Sequence, residues 1–310
     1  MKLSLHYFFL PLLCLPGALA WGALGHDTTA HLASHFVSSP TRDYLKRLLR
    51  DQGDDYLAKV ATWADQIRGL QVWKYTSNFH FIDAHDDPAR GSCQVDYARD
   101  CKEGGCIISA LANYTDRARD RALPRVERER AFKFLVHFIG DLHQPLHNED
   151  VARGGTRIKV RWQKRQYTLH AVWDTRILEQ ITQHSGKDPM STAIRWADEL
   201  AREISSGKYA ADKEGWLENF DPRSPNVTAM AWSNEANHYV CTHVFPPGLG
   251  PKQITQKNLF SNGYYQRAAP VVEQQIARAG FRMAAWLDDV VKSIQAEEDS
   301  NETVDDMDEL

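Results

Sequence analysis

Residues 131–147 read A-F-K-F-L-V-H-F-I-G-D-L-H-Q-P-L-H, and residues 168–175 read T-L-H-A-V-W-D-T. In the first run Phe134, Leu135, Phe138, Ile139 and Leu142 recur with helical period, so the spacing predicts a helix. His137 and Asp141, four apart, project from one face of it, and His170 and Asp174 repeat that spacing. Imidazole and carboxylate at i, i+4 suit a zinc ion that keeps coordination positions open, whereas closed structural zinc sites are usually rich in cysteine. Pro145 should break the helix and turn His147 back toward the same pocket. One H-x-x-x-D alone is more often a surface ion pair or a satisfied buried histidine. Two copies around H-Q-P-L-H point to metal.

Working outward, residues 1–20 carry one basic residue, an apolar run and the small-residue ending Ala18-Leu19-Ala20, the pattern of a secretory signal peptide cleaved before Trp21. No other stretch approaches the roughly twenty apolar residues that span a bilayer, so a soluble, secreted protein is expected. Once Cys14 leaves with the signal, Cys93, Cys101, Cys106 and Cys241 remain. An even count in an oxidising compartment argues for two disulfides, with three pairings open. Asn113, Asn226 and Asn301 head N-x-T sequons, which fit a secreted glycoprotein.

The formal charge of −4 conceals an asymmetry: residues 295–310 hold eight acids and no base, and without them and the signal segment the body carries +3. A mildly basic body is compatible with a polyanionic substrate. The acidic tail is expected to be disordered. Its final D-E-L resembles an endoplasmic-reticulum retention signal, but Met307 stands where a Lys or His belongs, which favours secretion.

Helical periodicity runs from His26 to Val37, and again from Thr41, which the pattern makes a cap. A third helix is expected from Asp55 to Arg68, containing Asp65, then an extended or irregular piece from Trp73 to Asp83 bearing His80. Ile107 to Ala118, Ala193 to Ile204, Met230 to Val240 and Tyr264 to Ile294 read as further helices, the last interrupted near Gly280. I-K-V-R-W and Q-Y-T-L flank Gln163-Lys164-Arg165 as a short β-hairpin. Candidate ligands spread from residue 21 to 174 must converge, so one mainly α domain over residues 21–294 is expected.

With W-G-A-L-G-H at 21–26, W-A-D-Q-I-R at 63–68 and H-F-I-D at 80–83 beside the two opening runs, nearly the whole mature chain resembles a known family. These are the zinc-dependent single-strand-specific nucleases and 3′-nucleotidases secreted by fungi and plants, which share a fold with bacterial zinc-dependent phospholipase C. The resemblance implies three zinc ions per chain. One takes Asp65, His80, His137 and Asp141. A second shares Asp141 and takes His26 with the free α-amine and carbonyl oxygen of Trp21. The third takes His147, His170 and Asp174. It further implies disulfides Cys93–Cys241 and Cys101–Cys106, stacking of a nucleobase on Phe81, and a hydrogen bond from the base edge to Asp83. Thr156 and Thr168 depart from the pattern, standing where family members commonly have Asn. His31, His35, His85, His143, His184, His238 and His243 match no ligand position, and Trp63, Trp162, Trp173 and Trp232 are expected in the core.

The implied activity is endonucleolytic cleavage of single-stranded DNA and RNA to 5′-phosphate products, with 3′-nucleotidase activity, by a monomer without membrane or stable protein partners. Asp65 would orient the attacking water and Arg68, one turn later, would hold the phosphate as a planar donor fork. Two rivals stand beside it: a phospholipase C-type phosphodiesterase, which calls for an apolar membrane-facing rim that the sequence lacks, and a secreted protein in which zinc serves only stability.

Overall fold

The computed structural model describes residues 21–184 and 188–308, with side chains to 297. The signal segment and the Asn301 side chain lie outside the described residues. The chain is mainly α with one hairpin. In order it forms α1 (Ala23–Phe36), α2 (Ser39–Leu49), α3 (Ala58–Ala61), α4 (Trp63–Ile67), α5 (Tyr97–Asp100), α6 (Ile107–Arg119) and α7 (Arg125–Leu142). The hairpin β1 (Lys159–Trp162) and β2 (Arg165–Thr168) follows, with Lys159 opposite Thr168 and Trp162 opposite Arg165. Then come α8 (Leu169–Ala171), α9 (Ile177–Thr182), α10 (Pro189–Ser205), α11 (Pro225–Tyr239), α12 (Pro251–Ile254) and α13 (Tyr264–Asp308). No described helix is long and apolar enough to cross a membrane.

Two apolar clusters make the core. Phe132, Phe134, Phe138 and Leu142 of α7 pack with α6, α11 and the Met283–Ile294 stretch of α13. Trp162, Trp173, Leu178, Trp196 and the Tyr264–Ala277 stretch of α13 form the other. Helices α1 and α13 contribute to both clusters and so tie them together. From Phe134 to Leu142 α7 is buried on every side, His137 and Asp141 included, so its two polar ligand candidates sit at the seam of the two clusters. Trp162, Trp173 and Trp232 are core as expected, and Trp63 is a partly buried flank of it.

The structure corrects several expectations. Ser38, not Thr41, caps α2: its hydroxyl accepts from Thr41 N–H (3.4 Å), and Pro40 sits in the first turn, where no donor is needed. The single helix expected over Asp55 to Arg68 is two short ones, parted at Thr62 (φ −95°, ψ 1°). Gln71–His80 is a 3₁₀ run, and only from Phe81 (φ −156°, ψ 169°) does the chain extend. Helix α13 is not interrupted at Gly280: a Cβ there would lie 2.6 Å from Leu32, so that glycine permits a close crossing of α1. The helical backbone of α13 runs on through the acidic segment to Asp308; a helix already nucleated extends at one hydrogen bond per residue fixed.

Cys93 pairs with Cys241 and Cys101 with Cys106. The first bond spans 148 residues and the second 5, and in the chain-entropy account a longer loop gives the larger stabilisation. The Cys93→Ser/Cys241→Ser variant should therefore lose about 2–4 kcal/mol in denaturant unfolding. An unchanged unfolding midpoint would refute this.

Candidate metal centre and cleft

Five short distances define the first group. Asp141 Oδ2 lies 3.0 Å from His80 Nδ1 and 3.2 Å from His137 Nε2, and those two nitrogens are 3.0 Å apart. Asp65 Oδ1 lies 3.7 and 3.8 Å from the same nitrogens. Four ligands at zinc's bond length of about 2.05 Å in a tetrahedron stand about 3.3 Å apart, and the five edges straddle that value. The other oxygen of Asp141 faces His26 Nε2 at 3.1 Å, and the His26 and His137 rings stack at 4.0 Å. Asp65 also reaches the His26–His137 pair. A third group joins His147, His170 and Asp174, with His170 Nε2 3.0 Å from Asp174 Oδ2.

Backbone carbonyls fix the rings. His137 Nδ1 donates to Ala61 O (2.6 Å), His147 Nδ1 to His80 O (2.7 Å) and His170 Nδ1 to Gly154 O (2.6 Å). Each bond sets the tautomer and leaves Nε2 as the lone-pair nitrogen aimed at its cluster. Buried polar atoms normally have partners, yet His26 Nε2, His147 Nε2, Asp65 Oδ1 and Asp141 Oδ1 have no hydrogen-bond partner among the described residues. Burial holds His26 and His80 below the usual imidazole value and His147 at about 3, so all three present the neutral ring that ligates. His137 goes the other way, to about 9: burial pulls it down, but the carboxylates of Asp141 and Asp65 outweigh it. Carboxylates that draw a proton onto a buried ring would equally favour a divalent cation in its place. These residues fit zinc: nitrogen and oxygen donors, no cysteine, and ring tautomers fixed by backbone carbonyls at His137, His147 and His170.

Trp21 is fully buried beside them. Its indole Nε1 donates to Gly140 O (2.9 Å), next to Asp141, and Gly22 N–H donates to Asp174 O (3.0 Å). Gly140 lets this happen, since a Cβ there would lie 3.0 Å from His26 Nδ1.

The third group opens on a cleft of about 620 Å³ lined by Arg68, His80, Phe81, Asp83, Lys102, His147, Arg153, Thr156 and His170, among others. Its floor is an extended segment in which His80, Ile82 and Ala84 are buried while Phe81 and Asp83 are half-buried. Ile82 N–H donates to His147 O (2.9 Å) and Ile107 N–H to Phe81 O (3.0 Å), so the segment is held on both sides. Phe81 is thus a cleft residue rather than core. Asp83 is raised above the ordinary carboxylate range by burial and by Asp150, with Lys102 Nζ 3.9 Å away. Arg68 lies 3.4 Å from Asp65 across one helical turn.

The two threonines serve local structure. Thr168 Oγ1 accepts from Ala171 N–H (3.0 Å), capping the short helix that carries His170. Thr156 lines the cleft, with its hydroxyl donating to Arg153 O (2.8 Å). His143 donates to Ile139 O and faces Arg282 (3.1 Å), away from the clusters. Sequence reasoning missed Gln144, whose amide nitrogen donates to Asp174 Oδ1 and whose oxygen accepts from Leu146 N–H. Its place between two ligand histidines was the available signal. Asn148 was missed too; it donates to Leu142 O and Gln144 O (2.9 Å each) and accepts from Ser233 (2.6 Å), anchoring His147 to α11.

A mainly α fold that buries three groups of imidazole and carboxylate under a polar cleft defines a metal-dependent hydrolase. The chain belongs to the S1/P1 nuclease family, whose profile it matches over residues 21–292. It is 42% identical over 268 residues to Nuclease S1 of Aspergillus oryzae, covering 86% of this chain and 91% of that one. Nuclease P1 of Penicillium citrinum is 40% identical over 270 residues, 87% of this chain and 97% of its own. Endonuclease 3 of Arabidopsis thaliana is 30% identical over 279 residues, 87% of this chain and 89% of its own. The chain is therefore a hydrolytic nuclease of a zinc-dependent family, with nucleic acid as its substrate.

Proposed function

We propose that the mature enzyme begins at Trp21, is secreted as a monomer with residues 21–294 as one catalytic domain, and holds three zinc ions. Asp65, His80, His137 and Asp141 hold one; His26, Asp141 and the Trp21 amine and carbonyl hold the second; His147, His170 and Asp174 hold the third. It cleaves single-stranded DNA and RNA to 5′-phosphate products and removes 3′-phosphates from nucleotides. The observation that carries this reading is the near-tetrahedral set of Asp65, His80, His137 and Asp141 atoms, joined through His80 to the cleft that Phe81 and Asp83 also line. The paired disulfides and the exposed Asn113 and Asn226 sequons support passage through an oxidising, glycosylating compartment.

When bound, zinc supplies positive charge against the anionic phosphate and makes hydroxide available at neutral pH. The chain's own groups do the rest. Asp65 Oδ1, at the boundary of the first two groups, orients the attacking water. Arg68 presents a planar donor fork to the phosphate oxygens from the cleft wall. Phe81 offers a flat apolar face to one base, and Asp83 accepts from that base's N–H groups. A paired base cannot enter until it is unstacked and unpaired, which costs a few kcal/mol, so strand preference follows from the pocket. Zinc-supplemented digestion of single- and double-stranded DNA and RNA, with end-group analysis, tests the proposal. Faster hydrolysis of duplex, or release of phosphocholine in place of nucleotides, would overturn it.

Phe81→Ala isolates the stacking step. With fold and zinc content intact, it should lose roughly ten-fold or more on single-stranded DNA, the scale of one stacked base, and little on a phosphodiester lacking a base. Equal rates for variant and parent on single-stranded DNA would rule stacking out.

A further inference from the structure

Between Arg153 and Thr168 the chain carries Arg153, Arg157, Lys159, Arg161, Lys164 and Arg165 and no acidic residue. Those six charges are twice the net +3 of the body, so the rest of the molecule is net acidic and this arm is its cationic feature. All six are exposed, and among the described residues none of their side chains takes part in a hydrogen bond or ion pair within the protein. That is unlike the cations of α7, where Arg125, Arg130 and Lys133 are all paired with Glu127 or Glu129. The arm is also rigidly placed. Val160 and Trp162 point into the core while Lys159 and Arg161 alternate outward, about 6.7 Å apart as two residues of strand. Outside β1, Arg161 N–H donates to Lys257 O (2.8 Å) and Leu259 N–H to Arg161 O (2.8 Å), so a second segment backs the hairpin.

The row begins at the cleft. Arg153 lines the cleft wall in a left-handed conformation (φ 56°), and Lys159 pairs with Thr168, which caps the helix carrying His170. From there β1 leads away over four residues, on the order of 13 Å, to Lys164 and Arg165 at the turn. An ordinary solvated face would scatter both signs; an unpaired row of one sign that starts at a phosphodiester-cleaving site matches a polyanion threaded through that site.

We propose that this hairpin is a polynucleotide-binding track: it holds the phosphates of a single strand beyond the nucleotide seated at Phe81, and gives the enzyme a preference for long chains over short ones. The proposal rests on the nuclease reading above. Because the contacts are to phosphate alone, the track adds affinity without base preference.

The test compares the zinc-loaded parent with Arg157→Gln/Lys159→Gln/Arg161→Gln and, separately, with Lys164→Gln/Arg165→Gln at the exposed turn. Each is assayed on a dinucleotide and on a long single-stranded oligonucleotide across a salt series. Each phosphate contact on a single strand contributes about 0.7 to the slope of log affinity against log salt. The triple variant should therefore raise KM on the oligonucleotide and flatten its salt slope by about 2, with dinucleotide turnover unchanged. The double variant should flatten the slope less. An unchanged oligonucleotide slope in both variants overturns the track, as does an equal loss on the dinucleotide. Binding of the parent to anionic vesicles but not to the oligonucleotide overturns it as well. Failure of the parent to cleave either substrate would instead strike the proposed function.

Discussion

Asp141→Asn should cost on the order of a thousand-fold or more in turnover, the scale seen when a site loses the charge that organises its transition state. The two oxygens of Asp141 face different clusters, Oδ2 toward His80 and His137 and Oδ1 toward His26. Asparagine keeps the shape but removes the negative charge and replaces one acceptor with a donor. That donor would point at ring nitrogens that backbone bonds and burial have prepared as acceptors. Purified variant should therefore carry about one zinc, held by His147, His170 and Asp174, against the three proposed for the parent. Elemental analysis alongside turnover checks both halves. A variant that keeps three ions and near-parent activity would sink the bridging role. An intermediate count of two would point to one cluster alone depending on this carboxylate.

A residue left in front of Trp21 should be almost as damaging, with activity falling by on the order of a hundred-fold. The Trp21 backbone is locked between the clusters by the indole bond to Gly140 O and the Gly22 bond to Asp174 O. It cannot swing away to make room for a substitute. An α-amine offers a lone pair to a metal, whereas the same nitrogen in a peptide bond does not, and binding affinity for the lost ion is folding free energy as well. A form extended by a cleavable peptide should contain one zinc fewer and melt at lower temperature. Proteolytic removal of the extension in the presence of zinc should restore both activity and Tm. Full activity before removal would refute the ligand role of the amine.

Much of the candidate site was legible because its candidate ligands obey local rules. His137 with Asp141 and His170 with Asp174 are helical neighbours, and that spacing brings side chains together before any tertiary contact is known. The hairpin showed in alternating Ile158, Val160 and Trp162, which must face the core together. The failures were tertiary. Thr62 divides a run whose composition is uniformly helical, beside the Ala61 carbonyl that accepts from His137, far away in sequence. Gly280 carried the signature of an interruption and instead answers to Leu32 on another helix. Gln144 sat between the two histidines, but its partner Asp174 is thirty residues on, so its place in the run could not show what it holds. Residue periodicity reports which face is buried; it is silent on what that face meets.

The extended floor of the cleft has a consequence of its own. From Phe81 on, Ile82 and Ala84 turn inward, as His80 does just before them, while Phe81 and Asp83 turn outward into the cleft, because side chains of an extended chain alternate with period two. On the proposed reading, reaction and selectivity lie on opposite edges of one ribbon, in a single reading frame. Loss or gain of one residue there would not shorten the ribbon gently but exchange its two edges, turning the cleft-facing side chains inward and the buried ones outward. Evolution along this segment can proceed by replacing letters, and by adding or deleting them only in pairs.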